Sequence, residues 1–256
     1  MTSLKETVSR ICKSLAAILV FLLLWEIAPR AGIVKAAYIP PFSAVVARTG
    51  KLIADGEMGI HLAASLYRAL MGYGLSLLVG FPLGILLAWN KRVREYIFPL
   101  VRVFGQISPL ALLPLFIIVF GLGEVSKIGI IFWGCVWRIL LGTMSGVSHV
   151  DSGLIKAART MGASGLQILY KVVIPAALPE IYPAVQGAAS GALLMLVAAE
   201  LLGASKGLGY LITYSQQIFD IPEMFAAILV IAILGILFSF LLEKLGEKLL
   251  SWNKSF

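Results

Sequence analysis

The chain has 256 residues, 60% of them hydrophobic and only 13% charged, with a mean hydropathy of +0.96. An ordinary soluble domain is about a quarter charged, so this composition excludes a soluble globular protein and indicates an integral membrane one. The formal net charge of +8 does not argue for a nucleic-acid partner, because the cations lie scattered between apolar segments, as orientation in a membrane and contact with anionic lipid require.

Six apolar segments follow one another: 14–28, 62–89, 97–120, 125–147, 183–202 and 224–242. About twenty residues of helix cross the hydrocarbon core, so they predict an all-α membrane protein with six transmembrane helices. It would be one transmembrane domain over 1–256, with its core at about 62–242. The first segment is short. It ends Trp25-Glu26-Ile27-Ala28-Pro29 without a small-x-small cleavage site, so it is expected as an uncleaved span rather than a signal peptide. Between the first two segments Pro40-Pro41 breaks the chain, and a short surface helix is expected from about 43 to 54. Cys12 and Cys135 are the only cysteines; one precedes the first span and one lies inside the fourth, so no disulfide is expected.

With both termini on one side, thirteen cations fall on that side, six on the other and two, Arg68 and Arg138, within spans. The bias places the termini in the cytoplasm. Gly80 and Gly84, Gly142 and Gly146, and Gly187 and Gly191 are each four apart, a spacing that lets helix backbones approach closely. Proline interrupts the spans at Pro82 and Pro114.

Ionisable groups within hydrocarbon cost about 2.5–3.5 kcal/mol each on insertion scales. Arg68 lies roughly six residues below the outer end of the second span, and Glu200 roughly three residues from the outer end of the fifth. Their depths match, and two readings stand: a structural ion pair, or a lining of the outer gate. Arg138 lies about thirteen residues into the fourth span, near midplane, with no acidic residue at its depth in any span. It should face the bundle interior or the translocation path, either as an anion site or as a donor to carbonyls freed by a kinked neighbour.

The fourth and fifth segments are joined by a polar loop, about 148–180. Asp151 or Ser152 can cap a helix. Leu154, Ile155, Ala158 and Met161 then gather on one stripe with Lys156 and Arg159 off it, and Gly162 is a natural stop. Ser164 can cap a second short helix to about Lys171, after which Pro175 and Pro179 are expected to turn the chain back into the membrane. No Gly-x4-Gly-Lys-Ser/Thr phosphate loop occurs, so the chain is expected to hydrolyse no ATP. His61 and His149 fall on opposite sides, and neither a metal cluster nor a Ser-His-Asp set can be assembled.

The run Lys156-Ala157-Ala158-Arg159-Thr160-Met161-Gly162, nine residues, then Val172-Val173-Ile174-Pro175 resembles the cytoplasmic loop signature of binding-protein-dependent ABC importer permeases. Lys156 stands where that family usually has Glu, and Ser108-Pro109 where Pro-Pro is commoner. Ser65-Leu66-Tyr67-Arg68 with Gly72, Gly80-Phe81-Pro82-Leu83-Gly84, Leu112-Leu113-Pro114-Leu115, and Ala198-Ala199-Glu200-Leu201-Leu202-Gly203 with Gly207-Leu208-Gly209-Tyr210 are similar to the nitrate, taurine and sulfonate branch. The likeness runs from about 39 to 225. It implies the type I ABC importer permease fold and an inner-membrane, multi-pass subunit. It also implies a second permease copy in a homodimer, an ABC ATPase dimer that binds the ATP, an extracytoplasmic solute-binding protein and a small solute, expected to be anionic, although the branch also carries uncharged and cationic heterocycles. The loop helix would be the coupling helix, placing Asp151, Leu154, Ile155, Lys156, Ala157, Ala158, Arg159, Met161 and Gly162 at the ATPase, with Arg138, Arg68 and Glu200 assigned to the path. The rival reading is a self-sufficient secondary transporter or channel, which calls for intramembrane carboxylates that only Glu200 and the marginal Glu26 supply. An intramembrane enzyme is disfavoured, because no catalytic set converges at one depth.

Overall fold

The computed structural model describes residues 4–250, side chains included except at 4–12, 14 and 15. The expectation for Cys12, and the counting of Lys5, Arg10 and Lys254 as terminal cations, fall outside the described side chains. Among the described residues every regular element is helical. Helix α1 is Leu4–Arg30, α2 Phe42–Ala54, α3 Glu57–Trp89, α4 Lys91–Phe104, α5 Pro109–Phe120, α6 Glu124–Ser148, α7 Ser152–Thr160 and α8 Gly165–Ile168. A π-helical segment, Leu169–Val173, leads into α9, Ile174–Leu201. Helix α10 is Leu208–Gln217 and α11 Ile221–Leu249.

Among the described residues four helices are long and apolar enough to cross a membrane: α3, α6, the continuous helix 165–201, and α11. The expected third span is not one helix. It is α4 and α5, bent by 95°, a fifth crossing if the bent pair counts as one span; the expected first span lies in α1, whose side chains are described only in part. The break has a local cause. Ser108 precedes Pro109 and sits extended, at φ −60° and ψ 125°, because the proline ring disfavours the helical region for the residue before it. The proline is then well placed in the first turn of α5, where no backbone N–H is needed.

The centre of the fold is α3 against α6 against α9. Glycines let the backbones meet: a Cβ on Gly80 would lie 2.9 Å from the Val136 carbonyl oxygen, and one on Gly84 2.6 Å from Cβ of Thr143. Gly146 likewise admits Ile181 of α9. The buried core between the three helices holds Ala69, Tyr73, Ile131, Cys135, Ile139, Ala188, Ala192 and Leu196, and Tyr73 donates to the Val185 carbonyl at 3.0 Å. The outward faces stay apolar: Leu78, Ile118 and Ile236 are exposed, as lipid-facing residues should be.

The expected surface helix is α2. It packs with α3, α10 and α11 through Val45, Leu52, Met58, Leu208 and Ala226, with Trp25 of α1 against that cluster. A second expectation fails at Pro175 and Pro179. The chain does not turn there; α8, the π segment and α9 run on as one helix to Leu201. The π turn hands over directly to α9, with Pro175 in its first turn. A proline in a first turn lacks only a donor that would go unused. Pro179 and Pro183 are carried inside the helix, and the packing of α9 against α6 holds them there.

Candidate functional site

Three places carry the chain's polar chemistry, at the two ends of the α3–α6–α9 core and midway between. At one end α3 begins, α6 begins and α9 finishes. Arg68 donates through Nε and Nη2 to both oxygens of Glu124, at 2.6 and 2.7 Å, and through Nη1 to Glu200 Oε1 and the Lys206 carbonyl, each at 2.6 Å. Glu200 Oε2 accepts from the Gly209 backbone N–H at 2.8 Å. Ser65 Oγ lies 2.8 and 2.9 Å from the two Glu200 oxygens and accepts from the Leu208 N–H at 2.8 Å. His61 Nδ1 accepts from the Gly207 N–H at 3.1 Å. Gly207 is at φ +127°, and a Cβ there would meet the Glu200 carboxylate and the Arg68 guanidinium, so only glycine fits this corner.

This clasp ties α3, α6, α9 and the 202–207 turn together. Arg68 and Glu200 are both buried, whereas Glu124 keeps half its side-chain surface in the open. The matched depth of Arg68 and Glu200 is legible in the sequence; the part of Glu124 is not. Glu124 precedes the apolar run, and only as the first residue of α6 does it meet Arg68. A second network lies nearby: Arg48 of α2 pairs with Asp220 and Glu223, and Ser215 Oγ donates to Glu223 at 3.0 Å. Desolvation works against the charge on Arg48, but hydrogen bonding and charge from Glu223, then Asp220, outweigh it and raise its pKa.

At the other end α7 projects as the tip of the α6–α9 hairpin. Asp151 caps it, accepting from the Gly153 N–H at 2.8 Å. Gly162 ends it at φ +80°, the left-handed conformation that favours glycine at a helix C-terminus. Ser164 and Gln167 then form a reciprocal capping box for α8. The apolar stripe read from the sequence divides into two. Ile155 and Ala158 pack inward on Val147, Ile168, Val173 and Ala177. Leu154 points outward and Met161 is 87% exposed, with Lys156, Ala157 and Arg159 exposed around them. Leu166 and Tyr170 extend this outward patch. Spacing did not reveal those two, because α8 and the π segment are too short to show a period.

Midway, Arg138 of α6 is exposed beside α9 and, among the described residues, has no hydrogen bond or ion pair. It does not donate to the carbonyls that Pro179 and Pro183 leave free. Its guanidinium lies against Gly187 of α9: a Cβ there would be 2.6 Å from Nη2, 2.7 Å from Cζ and 2.9 Å from Nε. Toward the loop end the two helices close on each other where Gly142 meets Ala184. Beyond that contact Glu180 lies 2.8 Å from His149 Nδ1 and 3.2 Å from Ser145 Oγ.

Residues 80–250 match the family model described as "Binding-protein-dependent transport system inner membrane component". The chain is 35% identical to a putative aliphatic sulfonates transport permease protein, SsuC, of Bacillus subtilis, over 93% of this chain and 86% of the relative. It is 31% identical to the taurine transport system permease protein TauC of Escherichia coli, over 94% and 89%. It is 32% identical to the formylaminopyrimidine transport permease protein ThiX of Halalkalibacterium halodurans, over 92% and 94%. Among solved structures, a chain of the MetNI methionine ABC transporter in inward-facing conformations superimposes with a TM-score of 0.63 at 22% identity, covering 73% of this chain and 93% of that one.

Proposed function

The chain belongs to the family of binding-protein-dependent transport system inner membrane components, and is a permease subunit of an ABC importer; on that premise we propose how it couples and what it carries. Helix α7 is the coupling helix. The observation that carries this reading is the outward pair Leu154 and Met161 at the tip of the α6–α9 hairpin, rimmed by Lys156 and Arg159. A short helix with an apolar face and a cationic rim fills a groove with acidic walls. The partner is a cytoplasmic ATPase dimer that binds and hydrolyses the ATP; this chain supplies docking and no ATPase chemistry. Ile155 and Ala158, packed on the start of α9, pass the movement of α7 into the bundle.

The loop end is then cytoplasmic. Helix α1 begins there and α11 ends there, so both termini are cytoplasmic. The clasp end faces the extracytoplasmic binding protein. The chain forms one transmembrane domain and pairs with a second copy. Arg68 and Glu200 brace the outer end of the path rather than meeting solute in its middle, since their donors and acceptors are occupied by each other, Glu124, Ser65 and the 206–209 backbone.

The solute is a small oxyanion of the sulfonate class. The support is Arg138: a guanidinium halfway along α6, exposed and without a hydrogen-bond or ion-pair partner among the described residues, offers planar paired donors that suit a carboxylate or sulfonate. The sulfonate and taurine relatives agree in chemistry. The test is uptake into vesicles carrying permease, ATPase and binding protein. Arg138→Lys should keep part of the uptake, and Arg138→Gln should lose most of it with assembly intact. Normal uptake by Arg138→Gln, or a cationic cargo on the binding protein, would sink the anion reading. Uptake without any ATPase would restore the self-sufficient transporter.

A further inference from the structure

We propose that Gly187 is a specificity-determining residue: it seats the Arg138 guanidinium face-on, so that this site accepts a singly charged oxyanion whose other end carries no cation. This rests on the reading that Arg138 faces the path.

The geometry begins with the three distances from a Cβ at Gly187 to Nη2, Cζ and Nε: 2.6, 2.7 and 2.9 Å. An approach along the edge of the planar group would leave Cζ farther than the two nitrogens. Cζ is level with them instead, so the glycine lies against the flat face. The N–H donors radiate in the plane of the guanidinium. With one face covered by the α9 backbone, these donors stay free along the plane of the group, and none is spent on the described residues. A side chain at 187 would occupy that seat. The atoms it would displace are the far end of a flexible side chain, so the helices could stay packed while the fork swings away. Gly187 therefore acts through Arg138, as a positioning residue.

The surroundings set the rest of the ligand. Along α9 beyond Gly187, space stays open at Gly191, and Ser190 and Leu194 are exposed. Met195 packs on Gly134 beside Pro109. That side suits a short apolar tail. An ammonium would need a carboxylate, and the acidic residues of α6 and α9 are only Glu124, Glu180 and Glu200, with Glu124 at the clasp. Glu180 is seven residues before Gly187, about 10 Å along the helix, and is already engaged by His149 and Ser145. Glu200 is sealed in the clasp. An amino-sulfonate carries its ammonium only two carbons from the sulfonate, too close to reach Glu180 while the sulfonate sits on Arg138.

The experiment uses the permease bound to its ATPase in lipid nanodiscs, without binding protein, and reads ligand-dependent thermal stabilisation as an apparent Kd. The probes are ethanesulfonate and taurine. Ethanesulfonate should bind at least tenfold more tightly than taurine. Gly187→Ala should weaken ethanesulfonate about tenfold while the ligand-free melting temperature stays near that of the unaltered complex. Gly187→Ala combined with Arg138→Gln should be no weaker than Arg138→Gln alone, which a general packing defect at 187 would not produce. Equal binding of the two probes, no binding of ethanesulfonate, or an unchanged Kd in Gly187→Ala overturns the proposal. The fate of the wider reading is separate: if Arg138→Gln still abolishes uptake in the full transporter, the anion reading stands while Gly187 loses its role.

Discussion

Arg68 and Arg138 are both arginines on helices of the same three-helix core, and the fold treats them in opposite ways. Arg68 is buried, donates to two carboxylates and a carbonyl, and closes a corner that only Gly207 fits. Arg138 is exposed and donates to nothing described. A guanidinium withdrawn from water costs too much unless its donors are met. The clasp meets them from within the chain. At Arg138 they stay unmet within the described residues. A fully satisfied arginine marks architecture; the unsatisfied one is what the proposed anion site rests on.

The comparison breaks first at the clasp. Glu200→Ala would leave Arg68 buried with Glu124 as its one carboxylate beside the Lys206 carbonyl, and would strip Ser65 and the Gly209 N–H of their acceptor; it should cost about 3–5 kcal/mol, as removal of one partner from a buried pair does. Melting of the purified complex would measure it. Arg68→Ala with Glu200→Ala should cost less than the two single changes summed; strict additivity would mean that the two side chains are not coupled. Arg138→Gln should show the reverse pattern, with melting unchanged and uptake down at least tenfold, equivalent to about 1.4 kcal/mol or more in the transport barrier. If instead its melting temperature collapses, the contrast between the two arginines is lost. Gly162→Val tests the loop end. Nothing lies within 4 Å of a Cβ there, so the cost is backbone strain at φ +80°, about 1–2 kcal/mol. ATP hydrolysis should then uncouple from uptake, or the ATPase should dissociate on gel filtration. Glu124→Gln is the mildest change. Half its side chain is in the open, so screening discounts the ion pair, and less than about 1 kcal/mol should be lost in the same melting assay.

Much of this was legible in the sequence, and the misses are instructive. The apolar runs announced the long helices, because a membrane demands about twenty consecutive apolar residues whatever their partners. Asp151, Gly162 and Ser164 announced the ends of α7 and the start of α8, because caps are local chemistry. Ser108-Pro109 carried the signal for the break between α4 and α5, but an unbroken apolar run masked it. Pro175 and Pro179 sent the opposite false signal: they read as a turn, yet the packing of α9 on α6 holds the helix through them. Leu166 and Tyr170 gave no signal at all.

What the sequence determined by itself, then, were properties that depend on neighbours along the chain: membrane insertion, helix ends, the polar loop with its short capped helix, and the presence of two costly arginines. Tertiary structure decided how those arginines differ. Glu124 is 56 residues from Arg68, and Lys206 is 138; Gly187 is in the other helix of the hairpin from Arg138. Whether a charge is neutralised or left free depends on atoms within a few ångströms, and the folded helices alone bring those atoms together.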